Sequence, residues 1–240
     1  MLELKNITFE YSSNKQKKVI FNNLNFHIKD KEFVSLIGPS GVGKTTFVKL
    51  IAGYLQPTSG EVFVCNNKKT KPDKTRIVIN QENDLFDWMT VVEHLELVTS
   101  DLEKIQSLLN LVGLADYQNY YPHKLSGGMK KRLSLARALA IDTNFIIMDE
   151  PFSSQDVQTK NKLHKELLEI ARQAEKTILL VTHDLEEAIF LSDRIFVLGG
   201  SPAQIIGEHV VPFKKENIKF GENGEFDNLK KQLQSLGYKV

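Results

Sequence analysis

Apolar residues recur at strand spacing from the first positions onward, and Leu2, Leu4, Ile7 and Phe9 can share one face. The stretch NNLNFHIKDKEFVSLIG ends on a run, Val34 to Ile37, that is apolar apart from Ser35 and stops at Gly38, as a buried strand does. From Thr45 the period becomes helical, with Phe47, Leu50, Ile51, Tyr54 and Leu55 on one face, until QPTSG breaks it. Residues from about 82 to 140 predict mostly helices, in VVEHLELV, DLEKIQSLLNLVGL and GGMKKRLSLARALA. Two short, strongly apolar strands follow, FIIMDEP and KTILLVTHD, separated by the helical segment KNKLHKELLEIARQA. Strand, helix, strand implies a parallel βαβ arrangement with its chemistry at the carboxyl ends of the strands. The last segment is polar until FDNLKKQLQSL, where Phe226, Leu229, Leu233 and Leu236 form an apolar stripe expected to dock on the chain's own core.

The chain is thus expected to be α/β, with a β-rich first lobe, and 240 residues suffice for one large domain or two modest lobes around a shared core. A net charge of +1 offers neither a basic excess for nucleic acid nor an acidic tail. A single cysteine, Cys65, excludes an intrachain disulfide and a cysteine-rich zinc site. The opening MLELKNITFEY alternates as a strand does and is not read as a signal peptide, and no apolar run is long enough to span a bilayer.

Three features carry chemistry. Gly38-Pro39-Ser40-Gly41-Val42-Gly43-Lys44-Thr45 fits G-x-x-x-x-G-K-[ST] between a strand and a helix, and Thr46 continues it. Glycines let successive N–H groups curl around phosphates, and the helix start adds its positive dipole end. Lys44 would pair with the β and γ phosphates, and the Thr45 hydroxyl would ligate Mg²⁺. Asp149 and Glu150 leave a buried apolar strand together; Asp149 is placed to hold Mg²⁺, and Glu150 to polarise an attacking water. Leu125-Ser126-Gly127-Gly128-Met129 opens a basic helix, and a simple capped helix would explain Ser126 but not two glycines. The other histidines, His27, His94, His123, His164 and His209, show no metal-ligand spacing and are expected at the surface.

LSGGM, lying between the phosphate loop and the acidic strand end, resembles the signature motif of the ATP-binding-cassette (ABC) family. The resemblance runs from about Leu2 to Glu208. It implies a P-loop NTPase fold with a RecA-like core, an antiparallel N-terminal β subdomain and a helical subdomain. The whole, 1–240, would be a single ABC ATPase domain, its helical part at about 82–140 and a short tail from about 209 to 240. By that resemblance Tyr11 is the aromatic that stacks on adenine, and residues Gly38 to Thr46 bind ATP. Gln81 is the Q-loop glutamine on the Mg²⁺ shell or the attacking water, and His183 is the switch histidine on the γ-phosphate. Leu125 to Met129 would close on ATP held by a partner subunit, so that two chains sandwich two nucleotides as a homodimer. Where family members commonly read SALD, this chain has Ser153-Ser154-Gln155-Asp156, and Asp156 keeps the dimer-spanning loop.

Loops resemble one branch more than others. QENDLFDWMTVVEHLEL, DEPF, LSGGMKKR and LGGSPAQIIGE look like ATPases of nitrate, sulfonate and taurine importers. That implies a peripheral protein on the cytoplasmic face of the membrane beneath two transmembrane permease subunits, served indirectly by an extracytoplasmic solute-binding protein, with no nucleic-acid partner. Trp88 either packs internally or lines the groove that receives a permease helix. The alternatives are an exporter or lipid-transport ATPase of the same fold, and a soluble cassette acting on ribosomes or DNA. Against the second, the sequence shows neither the tandem cassette nor the coiled-coil or zinc insertion that such proteins carry.

Overall fold

In the computed structural model the described residues are 1–13, 16–80, 85–141, 143–152, 157–212 and 224–235. Strands β1 (Leu2–Ser13) and β2 (Gln16–Ile28) pair antiparallel, and β3 (Phe33–Ile37) leads through the phosphate loop into α1 (Lys44–Ala52). Next come β4 (Ser59–Val64), β5 (Asn67–Lys68) and β6 (Arg76–Ile79). Helices α2 (Val91–Glu96), α3 (Leu102–Leu111) and α4 (Gly127–Ala140) follow. The chain then runs through β7 (Phe145–Asp149), α5 (Val157–Gln173), β8 (Thr177–Thr182), α6 (Leu185–Leu191), β9 (Arg194–Gly199), β10 (Gln204–Val210) and α7 (Gly224–Ser235).

The strands form two sheets. β2-β1-β4-β5 is antiparallel, and β10-β9-β3-β8-β7-β6 is parallel except for its edge strand β10. In the parallel sheet, successive residues feed opposite cores, which is why its strands are apolar runs and not alternations. Phe145 and Ile147 of β7, with Leu179 and Val181 of β8, face the antiparallel sheet and Phe47 of α1. Ile146, Met148, Ile178 and Leu180 face the other way, into the core shared with α2 to α5. Leu2, Leu4, Ile7 and Phe9 are all buried although their spacing changes parity after Leu4. A register shift between Leu4 and Ile7, with Asn6 at φ 51°, takes up the extra residue, as a bulge does.

The α-helices α2, α3 and α4 of the second lobe start on side-chain caps. Thr90 and Glu93 make a reciprocal capping box on α2, Asp101 caps α3 and Ser126 caps α4. At the other end of the chain, Phe226, Leu229 and Leu233 of α7 bury against Leu185, Ile189 and Val197, and Lys230 pairs with Glu186 at 2.6 Å. The tail stripe therefore docks on its own core; Leu236 lies outside the described residues. Among the described residues, no helix is long and apolar enough to cross a membrane.

Three expectations need correcting. α1 ends at Ala52 with Gly53 in the left-handed conformation, so Tyr54 leaves the helical face and is exposed. His94 and His164 are buried, not superficial. His94 is held by the Thr90 carbonyl at 2.7 Å on Nδ1, while Nε2 accepts from the Phe86 N–H at 2.9 Å. His164 makes a T-shaped contact with the Phe152 ring and lies 3.9 Å from Glu187. A polar residue inside an otherwise apolar helix face has no signature in periodicity alone.

Burial pushes the His164 imidazole down from 6.5 to about 4, with Asp184 opposing the shift and Lys160 adding to it. Between those values the unfolded chain binds a proton that the folded chain rejects, so stability falls as pH drops through this window. The penalty at the acid end is on the order of 3 kcal/mol. His164→Gln should flatten that slope: its urea midpoint should change less between pH 7 and pH 4.5 than the parent's, and an equal change in both would refute the assignment.

Candidate nucleotide site

β8 pairs in parallel with β3 on one side and β7 on the other, with Ile37 beside Thr182 and Asp149 beside Val181. The three carboxyl ends therefore open onto one edge of the sheet. The phosphate loop leaves β3 there, the acid pair leaves β7, and His183 follows β8.

The loop needs its glycines for two different reasons. Gly43 (φ 119°), the residue before α1, lies in the left-handed region, and a Cβ there would stand 2.9 Å from Ile20. Gly38 needs room, since a Cβ would meet the Leu198 carbonyl oxygen at 2.7 Å. Pro39, Ser40 and Gly41 are exposed, Val42 and Gly43 half-buried, and α1 begins at Lys44, one residue earlier than its period suggests. Thr45 is exposed at the first turn of α1; Thr46 is buried, 3.3 Å through its hydroxyl from the Tyr11 hydroxyl. Tyr11 is itself exposed and packs edge-on against Phe9, so the strand tyrosine does reach the loop.

Lys44 is 7% exposed and donates to the Gly38 carbonyl at 2.8 Å. Burial lowers its pKa, and Glu150 and Asp149 resist that change. Asp149 is raised by burial and by Glu150, against the pull of Lys44 and Lys49. Glu150 lies between two bases: Oε1 is 3.9 Å from Lys44 Nζ and Oε2 is 3.2 Å from His183 Nδ1. Its backbone is at φ 47°, a left-handed conformation that costs a non-glycine residue about 1–3 kcal/mol. The Glu150 N–H donates to the Val181 carbonyl at 2.8 Å, which anchors the turn to β8.

Ser126 accepts from the Met129 N–H at 3.2 Å, with Leu125 and Gly128 buried, Gly127 and Met129 half-buried and Ser126 exposed. This loop belongs to the helical lobe, at the start of α4, and not to the sheet edge. Gln81 and Asp156 lie outside the described residues. The strand leading to Gln81 is nonetheless fixed: Lys131 of α4, itself buried, donates to the Asn80 carbonyl at 3.1 Å.

Residues 21–153 match the family described as ABC transporter. Over 98% of its length the chain is 36% identical to the nitrate import ATP-binding protein NrtD of Synechocystis sp., of which it covers 94%. It is 37% identical over 91% of its length to the aliphatic sulfonates import ATP-binding protein SsuB of Bacillus cereus, covering 89% of that protein. The chain belongs to the ABC transporter family. A solved dimeric ATP-binding cassette in a post-hydrolysis state, bound to ADP and Pi, superposes with a TM-score of 0.74 at 29% identity, over 89% of this chain and all of the other. The fold is that of a P-loop ABC ATPase, and the chain binds and hydrolyses ATP.

Some features of this ABC cassette are not marked by any motif. The left-handed turn at Glu150 is invisible because glutamate is an ordinary residue after a strand. Asp184 caps α6 by accepting from the Glu186 and Glu187 N–H groups, which the pattern D-x-x-E directly after His183 could have signalled. Lys131 and Lys160, which no motif singles out, are both drawn onto polar groups of other segments.

Gly43→Ala should place a Cβ both in a disfavoured backbone region and against Ile20. The strain of about 1–3 kcal/mol should weaken ATP binding by roughly tenfold or more, measured by titration with a fluorescent ATP analogue. Unchanged affinity would mean the loop does not hold this conformation when it binds.

Proposed function

We propose that this chain is the ATPase subunit of an uptake system, a peripheral protein on the cytoplasmic face of the membrane. It would work as a homodimer beneath two transmembrane permease subunits that import a small solute of the nitrate, sulfonate or taurine class. A solute-binding protein outside the membrane would be an indirect partner. The reading treats the whole chain as one cassette domain, with the helical part at about 82–140 and the tail from about 209.

The observation that carries the catalytic reading is the meeting of Lys44, Glu150 and His183 on one sheet edge, within 3.9 Å of one another through Glu150. Lys44 and the N–H groups of Gly38 to Thr46 would bind the phosphates, with Tyr11 beside the loop for the base. Glu150 would accept the proton of the attacking water, and His183, on its other oxygen, would orient it toward the γ-phosphate. Mg²⁺ fits a half-buried Asp149 whose ionisation is opposed by desolvation and by its neighbour, together with the accessible Thr45 hydroxyl, and Gln81 would complete the set. Bound there, it would neutralise phosphate charge. Leu125 to Met129 would present Ser126 and its glycines to the nucleotide of the other subunit, and Asp156 would serve the dimer contact.

The import reading rests on the similarity to NrtD and SsuB and on a surface suited to a membrane partner. Trp88 is 74% exposed and leans on Phe86, so it is a surface residue and not an internal packing one. With Leu97 and Leu102 exposed on the same lobe, it offers apolar area to a permease helix.

Glu150→Gln should bind ATP normally, lose roughly 10²- to 10⁴-fold in turnover, and accumulate as an ATP-bound dimer on size-exclusion chromatography. A fully active, monomeric variant would remove Glu150 from its role. Ser126→Arg should keep single-site ATP binding yet abolish dimer closure and turnover; retained turnover would refute the cross-subunit role of LSGGM. Affinity capture of tagged Glu150→Gln from native membranes tests the assembly. A polytopic permease is the expected companion, whereas ribosomal or DNA-bound proteins would overturn the transport reading.

A further inference from the structure

A cluster of partly buried charge lies between α5 and α6, beside the segment that carries His183. Lys160, in the first turn of α5, places Nζ 3.0 Å from Glu187 Oε1 and 3.2 Å from Asp184 Oδ2. The other Glu187 oxygen accepts from the Thr182 hydroxyl at 2.7 Å, and that hydroxyl accepts from the Asp184 N–H at 3.0 Å. The residues on both sides of His183 are therefore gripped, and the grip converges on one lysine. Glu187 is 2% exposed, so its carboxylate depends on the Lys160 cation and the Thr182 hydroxyl for the stabilisation that water does not supply.

We propose that Lys160 is a positioning residue for ATP hydrolysis: it ties α5 to the Thr182–Asp184 segment and thereby holds His183 at Glu150. This rests on the roles assigned above to Glu150 and His183. Three considerations carry it. The His183–Glu150 contact, at 3.2 Å, joins the ends of two strands and is sensitive to any turn of the segment after β8. Asp184 spends its Oδ1 on the α6 cap, with the Glu186 N–H at 2.9 Å and the Glu187 N–H at 3.2 Å, leaving Oδ2 for Lys160. And Lys160 stands in the first turn of α5, so its contacts fasten the start of that helix to the segment that carries the histidine.

The test is steady-state ATP hydrolysis by the full chain with Mg²⁺, beside thermal midpoints, for Lys160→Met, Lys160→Arg, and the double variant Lys160→Met/Glu187→Gln. Misplacing His183 should lower kcat roughly 10- to 100-fold while KM for ATP stays within about twofold, and Lys160→Arg should restore most of the rate. The double variant removes the buried carboxylate left by Lys160→Met, so it should recover the parental midpoint yet stay slow. A double variant with parental midpoint and parental kcat would overturn the proposal, reducing Lys160 to a structural counter-ion. His183→Ala separates the two levels. An inactive His183→Ala beside a fully active Lys160→Met overturns the tether alone, whereas a fully active His183→Ala overturns the histidine's role and the tether with it.

Discussion

The parallel pairing of β8 with both β3 and β7 is the constraint on which the site depends. A one-residue slip of a strand buried on both faces would send every side chain into the opposite core, where its shape has no matching space, and here both faces belong to large cores. Register is therefore strongly determined, and with it the level at which each strand ends. Ile37, Thr182 and Asp149 finish within one residue of a common edge. The phosphate loop, the acid pair and the histidine are in this sense consequences of packing several residues away from any of them.

That edge gathers charge where water is scarce. Asp149 and Lys44 are both pushed by burial toward their neutral forms, and each is held back by the other. Two adjacent carboxyls facing one buried ammonium form an arrangement that a divalent cation and a polyphosphate would complete, because each would supply the charge the protein side lacks. The left-handed backbone at Glu150 belongs to the same arrangement. Consecutive residues of an extended strand point to opposite faces, and the turn at Glu150 is what brings its carboxyl between Lys44 and His183.

Most of this was legible in the chain. Apolar runs announced the buried parallel strands, and the phosphate-loop spacing announced both the strand before it and the helix after it. What escaped has physical reasons. Asn6 hides a bulge because a positive φ at asparagine carries no periodic signal. The burial of His94 and His164 has no sign in the periodicity, because a single polar side chain does not break a helical apolar face; His94 is held by the Thr90 carbonyl of its own helix cap, and His164 by a T-shaped contact with Phe152 from another segment. Tyr54 fitted the helical period but lies beyond the glycine that ends α1. Gly53 was the available signal, since a left-handed glycine after a helix is the commonest stop.

The partly buried cluster at Lys160 raises a question of energy that packing alone does not answer. An apolar trio of similar volume between α5 and α6 would avoid the desolvation of three ions and would hold the helices at least as firmly. Apolar contacts, however, are non-directional and tolerate small rotations, whereas two carboxylates converging on one ammonium, one of them also held by a hydroxyl, admit few geometries. The backbone being held here flanks a side chain whose nitrogen must meet Glu150 at hydrogen-bond distance. A directional, costly contact is the kind that fixes such a distance, and its cost is tolerable because the sheet on either side already secures the fold.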